Sequence, residues 1–153
     1  MVTKSKITLV YLLFFFIIAS CSHDKLINHY QDFENQSWHI DSLLNYELDP
    51  KLAGPVSFQV RYNLDYPYKN IYFKVYQYDS MLNLIDEKLY NIHLFEKDGS
   101  PLGDGSIVYN MEKQLKGFKL NEKTNKLKVQ HYMRTKLLKG INSAGIEVDK
   151  KSQ

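Results

Sequence analysis

The sequence has little cysteine and no long apolar segment. Its single cysteine, Cys21, has no partner in the chain for a disulfide bond. The apolar run that carries no charge, residues 7–19, is shorter than the roughly twenty residues that a helix needs to cross a bilayer. We therefore expect neither a disulfide-stapled domain nor a transmembrane helix.

An excess of basic charge is also missing. The chain has 20 Lys and Arg against 17 Asp and Glu, and without Lys4 and Lys6 near the N-terminus the balance is 18 against 17. The lysines are mixed with acidic residues and form no basic stripe. A nucleic-acid partner is therefore not expected, because such binding requires a concentrated positive surface.

A catalytic or metal-binding constellation is not visible either. No nucleophile is paired with a base, and the five histidines are scattered without the i, i+4 spacing of a helical metal site; they are His23, His29, His39, His93 and His131. The sequence predicts no enzyme, no metal and no small-molecule cofactor.

The N-terminus does carry a specific signal. Lys4 and Lys6 precede the apolar run, as in a signal peptide, and the run ends in Ile18-Ala19-Ser20-Cys21, which fits a lipobox. We predict cleavage before Cys21 and lipid attachment to its thiol, which gives stable membrane anchoring when more than one acyl chain is present. The alternative is a soluble export signal or a plain anchor helix that happens to end near a cysteine, which would leave an unpaired thiol in an exported protein.

This signal and the composition after it suggest four segments. Residues 1–20 form the signal peptide, 21–36 a lipidated N-terminus and polar linker, 37–149 a single domain, and 150–153 a charged tail. Residues 22–36 are assigned to the linker because they lack sustained hydrophobic periodicity. The domain is of ordinary size for one hydrophobic core.

Strands dominate the predicted domain. Eleven of the 12 tyrosines follow the signal peptide, and residues 56–62 and 71–78 alternate between apolar and polar, the period of a half-buried strand. Residues 63–70 between them predict a hairpin or an inter-sheet corner. Further strands are predicted at 84–95, where a helix also fits, and at 127–131 and 145–148, with a loop at 96–106 and an ambiguous stretch at 107–120. The fold class is all-β, a single antiparallel β-sandwich of jelly-roll or immunoglobulin-like type.

Two motifs with chemical interest have simpler interpretations. His39 and Asp41 could share one face of a strand as ligands or as an acid/base couple, but a polar strand face explains them as well. Gly99, Gly103 and Gly105 superficially resemble a phosphate-binding loop. No strand-to-helix transition follows them, so a turn is the better explanation.

The aromatic residues suggest binding rather than catalysis. Tyr72, Tyr76 and Tyr78 could grip a sugar or a protein if they are exposed on one face, or could simply cover the sheet. A partner contact is predicted at the corner, where Pro67 restricts the backbone between Tyr66 and Tyr68. The alternative is that these two tyrosines fold back over a sheet edge. Trp38 is expected in the core.

From Tyr30 to Val148 the chain resembles the gliding-motility lipoprotein family GldH of the Bacteroidetes. The resemblance rests on the order and spacing of several short stretches behind the lipobox. These are residues 38–42, Asn63, and residues 66–71, 98–105 and 138–148.

The resemblance implies a non-enzymatic lipoprotein required for gliding and linked to type IX secretion, with other envelope proteins as partners. It also implies the outer membrane. The periplasmic face is expected, because residues 22–25 are not a dense acidic run of the kind that directs surface export in this phylum. The alternative function is an outer-membrane lipoprotein that binds a ligand such as a glycan. Only Cys21 is carried over as a site residue.

Overall fold

Residues 25–48 and 54–149 are described by the structure, which is a computed structural model. They form eleven strands and no α-helix. The strands are β1 (Lys25–Asp32), β2 (Ser37–His39), β3 (Leu44–Glu47), β4 (Val56–Tyr62), β5 (Asn70–Tyr78), β6 (Leu84–His93), β7 (Asp104–Gly105), β8 (Tyr109–Gln114), β9 (Lys126–His131), β10 (Leu137–Lys139) and β11 (Ile141–Asp149).

The strands build two main sheets. One has the order β1-β11-β4-β8-β7, the other β3-β9-β5-β6, and β10 pairs with β2 in a small third sheet. Every pairing is antiparallel. The prediction of an all-β antiparallel sandwich is confirmed. Residues 63–69 take the chain from β4 in one sheet to β5 in the other, so the predicted turn is an inter-sheet corner.

Alternation in β5 produces the expected faces. Ile71, Phe73 and Val75 are fully buried against the other sheet, and the residues between them face outward. β4 departs from the half-buried pattern, because its outward-facing Gln59 is buried too. β4 lies between β11 and β8, and the Gln59 side chain donates hydrogen bonds to Glu147, at 2.5 Å, and to Glu112, at 3.3 Å.

Aromatic contacts join the two sheets. Phe58 of β4 stacks on Phe73 of β5 with the ring centroids 3.9 Å apart. Trp38 is completely buried at one end of this core, where it stacks on Phe33 at 5.1 Å and meets the edge of His131 at 5.4 Å. Its indole N–H donates to the carbonyl of Ser42 at 2.7 Å. The expected core position of Trp38 is confirmed.

The linker assignment for residues 22–36 is wrong where the structure describes it. Lys25–Asp32 forms β1, which pairs with β11 from Lys25 opposite Asp149 to Asp32 opposite Ser143. The domain therefore includes a strand well before residue 37, the boundary expected from sequence. Among the described residues, β1 is an edge strand that pairs with β11 alone. Such a strand can form through backbone pairing without a regular alternation of apolar and polar residues.

Other boundaries also differ from the predictions. β6 confirms a strand rather than a helix at its position, and within the ambiguous stretch 107–120 β8 forms a strand while residues 115–120 do not. The loop after β6 contains the two-residue strand β7 and a bridge between Phe95 and Pro101. The last strand begins at Ile141 rather than at residue 145. Sequence reasoning missed its first residues because Asn142 and Ser143 interrupt the apolar pattern of a central strand.

The sandwich has two distinguishable ends. We call the end where β1 starts the proximal end. β11 finishes and β4 starts at this same end, because Lys25 lies opposite Asp149 and the neighbouring Val148 lies opposite Val56. The distal end is the opposite one, where β1 finishes and where the corner joins β4 to β5. β5 therefore runs from the distal end to the proximal end, and its hairpin to β6 turns at the proximal end.

Tyr66 fixes the corner at the distal end. Its side chain is only 4% exposed, and its hydroxyl donates to the Asn70 carbonyl at 2.8 Å. Burial raises the pKa of this phenol, which keeps it a donor. Gly140, with a φ of +78°, lies against the Tyr66 backbone so closely that a methyl group there would overlap it. The corner therefore requires glycine at 140.

Replacing Tyr66 should destabilise the fold. Tyr66→Ser removes a buried ring and should cost about 3 kcal/mol, which corresponds to a melting temperature lower by roughly 10 °C. Thermal unfolding followed by circular dichroism measures this. Tyr68→Ser is the matched control, because Tyr68 is exposed at the same corner. Equal melting temperatures for the two variants would contradict the buried role of Tyr66.

Buried His131 should make stability depend on pH. Burial lowers the pKa of His131 from 6.5, although the nearby backbone of Lys136 acts in the opposite direction. Neither ring nitrogen makes a hydrogen bond of good geometry among the described residues. The unfolded chain therefore binds a proton more readily, so the stability held above the unfolded pKa is lost as the pH falls toward the folded pKa.

We expect the melting temperature to fall between about pH 8 and about pH 5, and His131→Leu to weaken that dependence. The variant keeps the exposed His29 and His93, so a pH dependence that remains in it comes from groups other than His131. An identical pH dependence in the two proteins would show that His131 does not contribute.

Candidate functional site

A cleft of about 450 Å³ opens at the distal end of the four-stranded sheet. Apolar atoms dominate its wall, and it combines aromatic rings with a thioether and a guanidinium. The lining residues are Tyr68, Tyr72, Tyr132, Met133 and Arg134. They come from the corner, from the start of β5 and from the segment that follows β9.

Backbone hydrogen bonds hold the floor of the cleft. Tyr72 lies near the start of β5 on its outer face, and the Tyr132 N–H donates to the Tyr72 carbonyl at 2.7 Å. The Tyr72 N–H in turn donates to the sulfur of Met133 at 3.2 Å. Two tyrosines and a methionine are therefore placed by the sheet itself, before any ligand arrives.

The predicted contact residues at the corner divide into two kinds. Tyr68 and Pro67 are exposed, with Tyr68 at 41%, and Tyr68 lines the cleft. Tyr66 is buried and meets the edge of the Tyr68 ring at a centroid distance of 5.7 Å. The prediction that Tyr66 itself contacts a partner is wrong, because Tyr66 is buried and supports the exposed ring of Tyr68.

The three tyrosines predicted along β5 also have separate roles. Only Tyr72 lines the cleft. Lys74 lies between the rings of Tyr76 and Tyr132, at 5.9 and 4.9 Å from their centroids, and Lys128 lies 4.7 Å from the ring centre of Tyr78. Tyr76 and Tyr78 are half-buried beside these lysines and lie outside the cleft lining, so those two mainly cover the sheet.

Lys74 is fixed in turn by an acidic neighbour. Its ammonium donates to Glu87 on β6 at 2.7 Å, and this hydrogen bond is the main cause that raises the pKa of Lys74. The positive charge therefore stays beside the ring of Tyr132 and borders the cleft.

Sequence reasoning missed Tyr132, Met133 and Arg134. They follow β9 with no alternation or motif of their own. They join the cleft only because β9 pairs with β5 in the register that sets His131 opposite Phe73. A run of aromatic, thioether and guanidinium side chains directly after a strand was the one local signal.

His39 and Asp41 do not share a strand face. His39 ends β2, Asp41 lies in the following turn, and the His39 Nδ1 accepts the Asp41 backbone N–H at 3.2 Å. The Asp41 carboxylate is 3.4 Å from the same nitrogen and highly exposed. This is a local turn contact. Within residues 25–48 and 54–149 no group of three His, Cys, Asp or Glu is placed to hold a metal ion.

The glycine-containing loop is built as a turn. The Asp98 carboxylate accepts hydrogen bonds from the backbone N–H and the hydroxyl of Ser100, at 2.9 and 2.7 Å. These bonds, the backbone one first, lower the pKa of Asp98. Its acceptor capacity is used to close the turn, in agreement with the interpretation as a turn rather than a phosphate-binding loop.

Cys21 lies outside the described residues. Across the ranges that the structure describes, no helix has the length and apolar character to cross a membrane.

Comparison with known proteins places the domain in a family. The profile of the GldH lipoprotein family matches residues 25–148, from the first residue of β1 almost to the end of β11. No curated protein and no solved structure is significantly similar to the chain. Because the family profile covers most of the chain, including all the strands of both sheets, this protein is a member of the GldH lipoprotein family.

Proposed function

We propose that this protein is a lipid-anchored, non-enzymatic component of the bacterial cell envelope that binds another envelope protein through the distal cleft. In this role it supports gliding motility and the type IX secretion linked to it. Lipid on Cys21 would hold it at the outer membrane, on the periplasmic face. Membership of the GldH lipoprotein family supports the envelope location.

The composition of the cleft carries the proposal of a protein partner. Tyrosine, methionine and arginine are the residue types enriched at protein interfaces, and tyrosine and arginine dominate binding energy there. Tyr68, Tyr72, Tyr132, Met133 and Arg134 supply all three types within one cleft. The methionine adapts to the shape of a partner, while the rings beside it are already held in place.

A glycan is the second candidate ligand, favoured by the three tyrosine rings that line the same cleft. Sugars stack on such rings, but they also need several polar groups that converge on their hydroxyls. Among the described residues that line the cleft, Arg134 is the one charged side chain, and most of the wall is apolar. The chemistry of the cleft therefore fits a protein surface better.

Removing two exposed rings from the cleft should abolish function while the fold remains intact. In a strain that lacks the gene, Tyr68→Ser combined with Tyr132→Ser should fail to restore colony spreading or secretion of type IX cargo. Loss of one anchoring ring commonly weakens an interface by roughly tenfold, and two are removed here. Both residues are exposed, at 41% and 52%, so the melting temperature should stay close to that of the native protein.

The matched control changes exposed apolar residues at the same end but outside the cleft. Leu64→Ser combined with Leu137→Ser removes side chains that are 65% and 43% exposed. This variant should restore spreading and secretion. If the cleft variant restores them equally well, the cleft is not the binding site. Normal spreading and secretion in the deletion strain itself would remove the proposed biological role.

The lipid anchor is tested separately. Cys21→Ala removes the thiol that would accept the diacylglycerol, so the protein should lose its lipid and leave the membrane fraction. Metabolic labelling with a fatty acid and fractionation of the cells measure both. A Cys21→Ala protein that is still labelled and sediments with membranes would contradict attachment at this residue.

A further inference from the structure

The hairpin between β5 and β6 ends in an exposed apolar tip. Met81 and Leu82 in its turn are 81% and 62% exposed, and Leu84 at the start of β6 is 51% exposed. Isolated exposed apolar side chains are common on soluble proteins. Here three lie within four successive residues at the outermost part of one hairpin, which makes them a compact apolar projection.

The turn holds this tip in one conformation. The Asp79 carboxylate accepts the backbone N–H groups of Met81 and Asn83, at 2.9 and 2.8 Å, and the side-chain amide of Asn83 at 3.0 Å. Leu82 has a φ of +64°, a left-handed conformation in which glycine or asparagine is usual. Leucine occupies this position although glycine would fit the backbone with less strain, which points to a use of its side chain outside the fold.

The tip lies at the proximal end of the sandwich. Tyr78 at the end of β5 lies opposite Leu84 and opposite Lys126, the first residue of β9. Lys25, where β1 begins at this end, lies only four positions after Cys21. Four steps along a fully extended chain span at most about 14 Å, so lipid on Cys21 would keep the proximal end close to the bilayer.

Basic side chains accompany the tip. Residues 115–125 cross the same end between β8 and β9 and carry Lys116, Lys119 and Lys123 against one acid, Glu122. Lys119 and Lys123 line a cleft beside the hairpin together with the carboxylates of Asp86 and Glu122. The exposed apolar tip matches the interface of a membrane, which takes up apolar side chains, and the lysines beside it could contact anionic headgroups.

We propose that the turn 79–83 is a second membrane contact, in which Met81 and Leu82 insert into the interface of the bilayer that holds the lipid on Cys21. The contact rests on the proposed lipid anchor. It sets the orientation of the domain: the proximal end faces the lipid and the distal cleft points away from it, toward a partner.

The test uses the full lipidated protein in vesicles of phosphatidylethanolamine and phosphatidylglycerol. Met81→Cys introduces a free thiol at the tip for a polarity-sensitive fluorophore. Ile107→Cys is the matched control, because Ile107 is 79% exposed and lies just before Tyr109, which is opposite Tyr62 at the distal end. Quenchers attached to lipid tails report which label enters the bilayer.

We expect a blue-shifted, lipid-quenched signal at position 81 and a water-exposed, unquenched signal at 107. A tip label as exposed as the control, or equal quenching at both positions, would overturn the proposal. Failure of the anchor itself has a different signature, since unlipidated protein shows the wrong mass and a second reactive thiol at Cys21.

Leu82→Gly separates a membrane role from a structural one. Glycine adopts the left-handed conformation without strain, so the melting temperature should be unchanged or higher. Losing one inserted leucine should shift the equilibrium between docked and undocked orientations by roughly tenfold and reduce the quenching of the label at position 81. Unchanged quenching, or a marked loss of stability, would contradict the proposal.

Discussion

The packing of Tyr66 against Gly140 is the constraint on which the distal end depends. The backbone at Gly140 leaves no room for a side chain where Tyr66 passes, and the Tyr66 hydroxyl closes the corner on the Asn70 carbonyl. This places the start of β5 and thereby Tyr72. It also supports Tyr68, so both the direction of the chain and the shape of the cleft follow from one buried ring.

A buried hydroxyl strengthens the same region. Tyr62, at the end of β4, donates its hydroxyl proton to the carbonyl oxygens of Leu94 and Leu102, and burial raises its pKa to about 12. This bond ties the loop after β6 to the end of β4. The distal end is therefore rigid beneath its exposed rings, a property that lowers the entropic cost of binding a partner.

The two ends of the sandwich differ in chemistry in a way that fits an anchored protein. The distal end presents pre-placed aromatic rings with a guanidinium, whereas the proximal end presents an apolar turn with lysines. β5 and β11, each of nine residues, run from one end to the other, so contact with the membrane at the proximal end would direct the distal end outward. The outer face of the four-stranded sheet between them is covered by lysine–tyrosine contacts and offers less to a ligand.

Periodicity predicted the elements that have one buried face and failed where burial depends on pairing. The alternation in residues 71–78 located β5, because on this strand the inward-facing residues are buried and the residues between them are not. The side-chain pattern does not reveal β1, because this edge strand gains much of its stability from backbone pairing with β11. The proline between Tyr66 and Tyr68 predicted a fixed corner but not which ring turns inward, since Gly140 decides that from far along the chain.

Contact between the distal cleft and a partner inside the cell is the central claim. Its most direct test is site-specific photocrosslinking in living cells, with a photoreactive phenylalanine placed at Tyr132 inside the cleft or at Leu137 outside it. We expect one discrete adduct with an envelope protein from position 132 and none from position 137. No adduct at 132, or the same adduct at both positions, would contradict it.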